Sequence, residues 1–281
     1  MNSTRRKFVK RTFLATLGAG FLTGIYAWQI EPRWLEFVRL KMPTPNLPNS
    51  LKGLTLMQIS DLHIGNRFDY KFLIKSLDEA KLYQPDFVVY TGDFISLVNG
   101  KPDIEKLREV CEHLVQGTLG TAAILGNHDY GVNWAEPDVA QQIVHEVQKL
   151  GIPVLRNESI EIEGLNIIGL DDLWANQCDL DKALLDLDAT QANLVLAHNP
   201  DICDLPGWKD FSGWILSGHT HGGQVKPPFL NPPMLPVKNK RYSAGEITLD
   251  EKRTLYINRA LGHLWQIRFN VRPEITIFEL A

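Results

Sequence analysis

Cysteine is scarce in this chain, with three residues in 281: Cys111, Cys178 and Cys203. Odd in number and far apart, they exclude a disulfide framework and the Cys-x-x-Cys spacing of a metal knuckle, so burial as small apolar side chains is expected. Basic residues are short as well. The formal charge is −4, from 29 Lys and Arg against 33 Asp and Glu; five of those bases and no acid lie in residues 1–30, and setting them aside leaves −9. An acidic body without basic, aromatic-interleaved stretches argues against a nucleic-acid partner, which needs clustered Lys and Arg. Repeats and low-complexity tracts are absent, and 44% hydrophobic with 22% charged residues is ordinary globular material.

Charge disappears altogether from Thr12 to Ile30, directly after Arg5, Arg6, Lys7, Lys10 and Arg11. Residues 1–30 therefore read as a targeting segment. A Sec signal or plain anchor needs only a positive start, whereas TRRKFVK resembles the twin-arginine export signal in its paired Arg5 and Arg6, followed by Phe8 and Lys10. No Ala-x-Ala closes the apolar run, and a helix rising about 1.5 Å per residue would nearly cross a hydrocarbon core of about 30 Å. The expectation is export by the twin-arginine machinery, with the body periplasmic or anchored to the outer face of the cytoplasmic membrane. Residues 31–50 are expected to hold an amphipathic helix (EPRWLEFVRLKM) and a linker (PTPNLPNS), and the folded domain to span 51–281.

In that domain, short apolar runs bounded by turn residues alternate with helical patterns. LTLMQIS, DFVVYTG, TAAILG, LNIIGL, ANLVLAH and GWILSG read as strands buried on both faces. Leu73, Leu77 and Ala80, then Ile104, Leu107, Cys111 and Leu114, then Ala140, Ile143, Val147 and Leu150 each mark one buried helix face. AGEITLD, RTLYINRA and EITIFEL alternate with period two, which suggests hairpin-connected strands. The class is α/β, with two stacked sheets flanked by helices.

Five of the apolar runs end in polar clusters: Asp61 and His63; Asp93; Asn127, His128 and Asp129; His198; His219 and His221. Ligands of open α/β sheets bind beyond the carboxyl ends of strands, so the clusters can converge on one crevice. Carboxylate, amide oxygen and imidazole form the mixed donor set that divalent transition metals prefer. His113, His145 and His263 stand outside the clusters and are read as surface or packing residues. Asp171 and Asp172 in GLDDLW are candidates for supporting the site or lining it.

The ordered blocks DLH, GD, GNHD, AH and GHTH resemble those of the calcineurin-like metallophosphoesterase superfamily, and the resemblance covers residues 54–279. It implies a four-layer α/β/β/α sandwich of two mixed sheets and two divalent ions per chain, Mn2+ foremost, with Zn2+, Fe2+, Fe3+ or Mg2+ also compatible. Residue by residue, it implies that Asp61, His63 and His221 hold one ion, that Asn127, His198 and His219 hold the other, and that Asp93 bridges them. His128 would be a catalytic acid or transition-state stabiliser, with Asp129 orienting its ring. The implied reaction is hydrolysis of a phosphodiester by a hydroxide shared between the ions. A pyrophosphatase acting on nucleotide-linked lipid precursors at the membrane surface is the alternative within the enzyme class, and the basic Lys238, Lys240 and Arg241 could meet an anionic headgroup there. A non-catalytic metal-binding module would be expected to show gaps in the pattern, and every position is filled. The chain departs from the family in lacking a second acid soon after Asp93 (GDFISLV) and in carrying Ala260 where a glycine is common.

Overall fold

The computed structural model describes residues 3–65 and 70–281. Helix α1 (Ser3–Ile25) continues as a π-helical turn (Tyr26–Ile30) and a 3-10 turn (Glu31–Arg33). The body follows as β1 (Glu36–Met42), β2 (Thr55–Ile59), α2 (Tyr70–Lys81), β3 (Phe87–Thr91), α3 (Ile104–Cys111), β4 (Gly120–Ile124), α4 (Pro137–Gln148), β5 (Glu158–Ile162) and β6 (Leu165–Gly169). It is completed by α5 (Leu180–Ala183), β7 (Ala192–Leu196), β8 (Gly213–Ser217), β9 (Gly245–Thr248), β10 (Arg253–Ile257) and β11 (Glu274–Leu280).

Two mixed sheets result, ordered β1-β11-β2-β3-β4 and β5-β6-β7-β8-β10-β9. Strands β2, β3 and β4 are mutually parallel, as are β6, β7, β8 and β10. Strand β3 shows how a doubly buried strand serves two cores. Its Phe87 and Val89 pack between the sheets, while Val88 and Tyr90 pack under the helices α2, α3 and α4. The amphipathic faces expected for those helices are the buried ones: Leu73, Leu77 and Ala80 on α2, Leu107 and Cys111 on α3, Ala140, Ile143 and Val147 on α4. The opposite outer layer is thin. Its core, around Val195, Ile215 and Leu255, is covered by the single turn α5 and by loops bearing Trp208, Phe211 and Tyr242.

Strand β1 corrects one expectation. Residues 36–42 are not an amphipathic helix but a strand paired in parallel with β11, from Glu36 opposite Glu274 to Met42 opposite Leu280. Val38, Leu40 and Met42 alternate with Phe37, Arg39 and Lys41, so a period of two is present, and the edge of β11 supplies backbone partners that no helix could use. The stretch after it is also no free linker. Thr44 N donates to Ala281 O at 2.9 Å and Trp214 Nε1 to Pro43 O at 2.8 Å, tying it to both sheets. The folded body thus starts before residue 51. A second correction concerns β11: β9 and β10 form the expected antiparallel pair, but β11 joins the other sheet, between β1 and β2.

Candidate metal centre and active site

All the sequence-predicted ligands lie just past strand ends, on one edge of the two-sheet stack. β2, β3 and β4 deliver Asp61 and His63, Asp93, and Asn127; β7 and β8 deliver His198, and His219 with His221. Beneath them Gln58 of β2 donates to Thr91 Oγ1 at 3.0 Å and to Ser217 O at 2.9 Å, joining the ends of β3 and β8 across the sheets. Two glycines allow the close approach. A Cβ on Gly126 would run into the Asp93 carboxylate, and one on Gly218 into Ser60 Oγ and the Asp61 carboxylate.

The predicted ligands are buried, and they group as the donor types suggest. Ligand-type atoms of Asp61, His63 and His221 come together, as do those of His63, Asp93 and His128, and those of Asp93, His198 and His219. Asp93 and His63 each belong to two of these groups, and Asp93 Oδ2 lies 3.6 Å from His63 Nε2 and 3.1 Å from His198 Nε2, the position a bridging carboxylate would hold. His221 Nε2 lies 3.2 Å from Asp61 Oδ1 and 2.9 Å from His63 Nε2, while His198 Nε2 lies 3.1 Å from Asp93 Oδ2 and 3.3 Å from His219 Nδ1.

The hydrogen bonds at the outer edges of the rings determine what points inward. His198 Nδ1 lies 2.8 Å from the Thr91 carbonyl and His219 Nε2 lies 2.8 Å from the Pro236 carbonyl. A carbonyl only accepts, so those nitrogens carry protons, and the two rings turn their other nitrogens inward, 3.3 Å apart. Asn127 is fully buried, and among the described residues neither its Oδ1 nor its Nδ2 has a hydrogen-bond partner. Inward-facing imidazole nitrogens, buried carboxylates and an orphaned amide oxygen are groups that a cation satisfies, so the donor set fits divalent metal.

The electrostatics agree. Burial would raise the Asp61 and Asp93 carboxyls, yet the neighbouring imidazoles, His221 at Asp61 and His198 at Asp93, hold both below the usual range. Burial drives His63 well below its ordinary value and His219 down to about 3, leaving neutral rings able to ligate. At His198 burial also works against the charged form, but the Asp93 carboxylate outweighs it and holds the ring well above its ordinary value. A cation at that place competes with this proton.

The backbone is strained at the same residues. Asp61, His63, Asp93, His219 and His221 have φ of 54°, 49°, 55°, 68° and 51°, the left-handed region that costs non-glycine residues about 1 kcal/mol or more each.

His128 is the only partly exposed histidine of the set, with its ring centroid 5.0 Å from that of His63 in an edge-to-face contact. Its backbone N donates to Asp93 Oδ1 at 2.9 Å. Asp129 does not orient that ring, contrary to expectation. Its Oδ2 accepts from Gly126 N at 2.9 Å and its Oδ1 from Ile95 N at 3.1 Å, so one oxygen closes the GNHD turn and the other ties it to the loop after β3. Burial, and then the Asp93 charge, push its carboxyl up to about 8.

Asp171 supports the same turn from below: Tyr130 OH donates to its Oδ1 at 2.5 Å and Arg156 Nε to its Oδ2 at 2.7 Å. Asp172 is buried beside it and accepts from Ala175 N at 2.7 Å. Trp174, whose place in the site the sequence reading missed, sets its ring edge-to-face with His219 at 4.5 Å and lies 4.6 Å from Trp134. Its position directly after GLDDL was the available signal. Of the remaining histidines, His113 pairs with Asp78 at the surface, His145 is exposed and His263 is fully buried. Cys111 and Cys203 are buried and Cys178 half-buried, all as free thiols.

Comparison with known proteins matches this arrangement. Residues 54–223 fit the family described as calcineurin-like phosphoesterase. The chain is 31% identical to phosphodiesterase YaeI of Escherichia coli over 99% of both chains. It is 29% identical to the UDP-2,3-diacylglucosamine pyrophosphatase LpxG of Chlamydia muridarum over 94% of both, and 31% identical to the uncharacterized metallophosphoesterase YkuE of Bacillus subtilis over 99% of this chain and 97% of that one. A dimetal phosphatase from Danio rerio aligns with 74% of this chain and 88% of its own at 12% identity and a TM-score of 0.42. The chain belongs to the calcineurin-like phosphoesterase family and is a metal-dependent phosphoric ester hydrolase.

Proposed function

We propose that the protein is a dimetal phosphodiesterase, with Asp61, His63 and His221 on one ion, Asn127, His198 and His219 on the other, and Asp93 shared. The observation that carries this reading is the place of the buried Asp93 carboxylate, whose Oδ2 lies 3.6 Å from His63 Nε2 and 3.1 Å from His198 Nε2, one nitrogen from each proposed ligand set. When bound, two divalent ions acidify a water and offset the charge of the phosphoryl oxygens. Mn2+ is the metal that the family resemblance puts foremost, and oxygen and imidazole donors without thiolate are compatible with it. His128, at the exposed side, donates the proton that the departing alkoxide oxygen needs. Asp93 accepts from the His128 backbone and so holds the acid beside the centre.

The full chain loaded with Mn2+ is expected to cleave bis(p-nitrophenyl) phosphate and to stop when chelated. His128→Asn should keep two ions per chain by elemental analysis while losing about 100-fold or more in kcat. Normal turnover in that variant would remove His128 from the reaction.

A second reading, pyrophosphatase action on nucleotide-linked lipid precursors, is favoured by the similarity to LpxG and by an apolar cavity of about 680 Å³ reaching His219 and His221. Release of nucleoside monophosphate from such a lipid, faster than cleavage of simple diesters, would select it. Export by the twin-arginine route, with the body held at the outer face of the cytoplasmic membrane, accompanies both readings. Arg5→Lys with Arg6→Lys should leave the protein in the cytoplasmic fraction.

A further inference from the structure

The end of α1 docks on the loop that walls the mouth of the metal centre. Arg268 N donates to Ala27 O at 2.9 Å, Gln266 Nε2 donates to Trp28 O at 3.2 Å, Val271 N donates to the buried Glu31 Oε1 at 2.6 Å, and Tyr26 meets Phe269 edge-on at 6.4 Å. Residues 26–31 are therefore part of the folded body, and α1 leaves from beside the active site. Within Arg5–Arg33 the chain is apolar and long enough to cross a membrane, and only 6% of its apolar window is buried.

The same loop lines the apolar cavity. Leu264, Trp265 and Ile267 line it together with Met234 and Leu235, and so do His219 and His221. A second loop continues this rim, since Val225 pairs with Phe269 and Lys226 N donates to Phe269 O at 2.8 Å. Large apolar side chains project from the two loops: Phe229 is fully exposed, Met234 is 78% exposed and Trp265 is 71% exposed. Apolar side chains gathered around a site mouth mark a contact surface rather than the scattered exposure of any soluble protein.

Charge narrows the partner. Between Asp210 and Glu246 no acidic residue occurs, while Lys226, Lys238, Lys240 and Arg241 are exposed there, on a body that is otherwise acidic. Exposed aromatic and aliphatic side chains in a stretch that carries Lys and Arg but no acid have the composition of an interfacial lipid contact.

We propose that loops 225–236 and 264–270, with the end of α1, form a docking surface for an anionic lipid bilayer, which sets the mouth of the metal centre against the headgroups. This deepens the reading of a membrane-side phosphodiesterase by placing its substrate in or at the lipid surface.

The test needs no turnover. The metal-loaded full chain, with Cys178→Ser to remove the half-buried thiol, is reconstituted into vesicles of phosphatidylethanolamine and phosphatidylglycerol. Nitroxide labels are placed at Phe229→Cys and Met234→Cys, and at Leu82→Cys and Leu185→Cys as exposed apolar controls on the outer layers. The rim labels should show an oxygen-to-nickel accessibility ratio several-fold above that of the controls, and the excess should shrink when zwitterionic phosphatidylcholine replaces phosphatidylglycerol. Rim labels as aqueous as the controls would overturn the proposal, and an excess indifferent to lipid charge would overturn the role given to the basic residues. Immersed labels on a protein that cleaves no phosphodiester would sink the catalytic reading and leave the docking surface standing.

Discussion

Asp129 is the residue at which sequence position and structure point to different roles, and its substitution separates them. Both carboxylate oxygens accept backbone N–H groups, from Gly126 and Ile95, in a fully buried place. Asp129→Ala leaves two buried donors without acceptors, at about 1–3 kcal/mol each, so a loss of roughly 2–6 kcal/mol is expected. That is a large share of the roughly 5–15 kcal/mol typical of a folded domain, and the alanine variant is expected to unfold readily. Asp129→Asn is the gentler probe, because its Oδ1 keeps one bond while its amide group faces the other N–H. It should cost about 2–3 kcal/mol by denaturant titration of the metal-loaded full chain. Because Gly126 and Asn127 belong to the held turn, metal affinity at the Asn127 position should fall about 10- to 100-fold, the usual effect of losing a partner behind a ligand. The pH profile of kcat measured at saturating metal should keep its shape, since both Asp129 oxygens bond backbone N–H groups rather than the His128 ring. If Asp129→Asn left stability and metal affinity unchanged and instead moved the alkaline limb by a unit or more, the reasoning would be refuted and Asp129 returned to the acid.

Other consequences are open to direct measurement. Gly218→Ala places a methyl group against Ser60 and the Asp61 carboxylate, so the ion proposed to sit at Asp61 should bind at least about tenfold more weakly by elemental analysis, with a fall in Tm. Glu146 is 7% exposed and accepts from Arg108 at 2.8 and 3.0 Å and from Lys149 at 3.0 Å, which holds its carboxyl down at about 2. A folded-state pKa below the unfolded one adds stability above the unfolded value of about 4.3, lost as the pH falls toward 2. Glu146→Gln should therefore cost about 1 kcal/mol at pH 7, discounted because Arg108 is half exposed, and close to nothing at pH 2 in chemical denaturation. Removing residues 1–42 deletes β1 and bares the edge of β11, so that chain is expected to aggregate, while removal of residues 1–25 should leave a monomeric, cooperatively melting body in light scattering.

The convergence of the candidate ligands was legible because each follows a strand whose apolar run is unmistakable. Parallel strands of a sheet end on one side, so DLH, GD and GNHD had to meet, as had AH and GHTH. The alternation that separates the two cores, as in β3, was equally readable. Three other features were not. Strand β1 carries a period-two pattern, but its seven residues include charges compatible with a short amphipathic helix, and what selects the strand is the distant edge of β11. The role of Asp129 was misread because neighbours in sequence share a turn without sharing a direction, and its side chain points back into the backbone of that turn. Trp174 gave no signal as a site residue beyond its place after GLDDL, since nothing local distinguishes it from a core tryptophan.

Strain at the site belongs to the same class of hidden information. Five non-glycine residues in the left-handed region would be a costly choice for any of these short loops alone. They persist because the loops are held from outside. His219 N donates to both oxygens of Asp61 at 3.1 Å, Asp61 N donates to Gly92 O at 2.9 Å and His63 N donates to Asp93 O at 3.0 Å. Loops after β2, β3 and β8 thus fix one another, and the two sheets must already be packed for any of them to be right. Metal affinity is in this sense a property of the sheet interface. A cavity made beneath the candidate metal centre, between Phe87, Leu194 and Phe278, should loosen the proposed ligands of both ions at once, whereas a change in the outer layer over β7 and β8 should act chiefly on His198, His219 and His221.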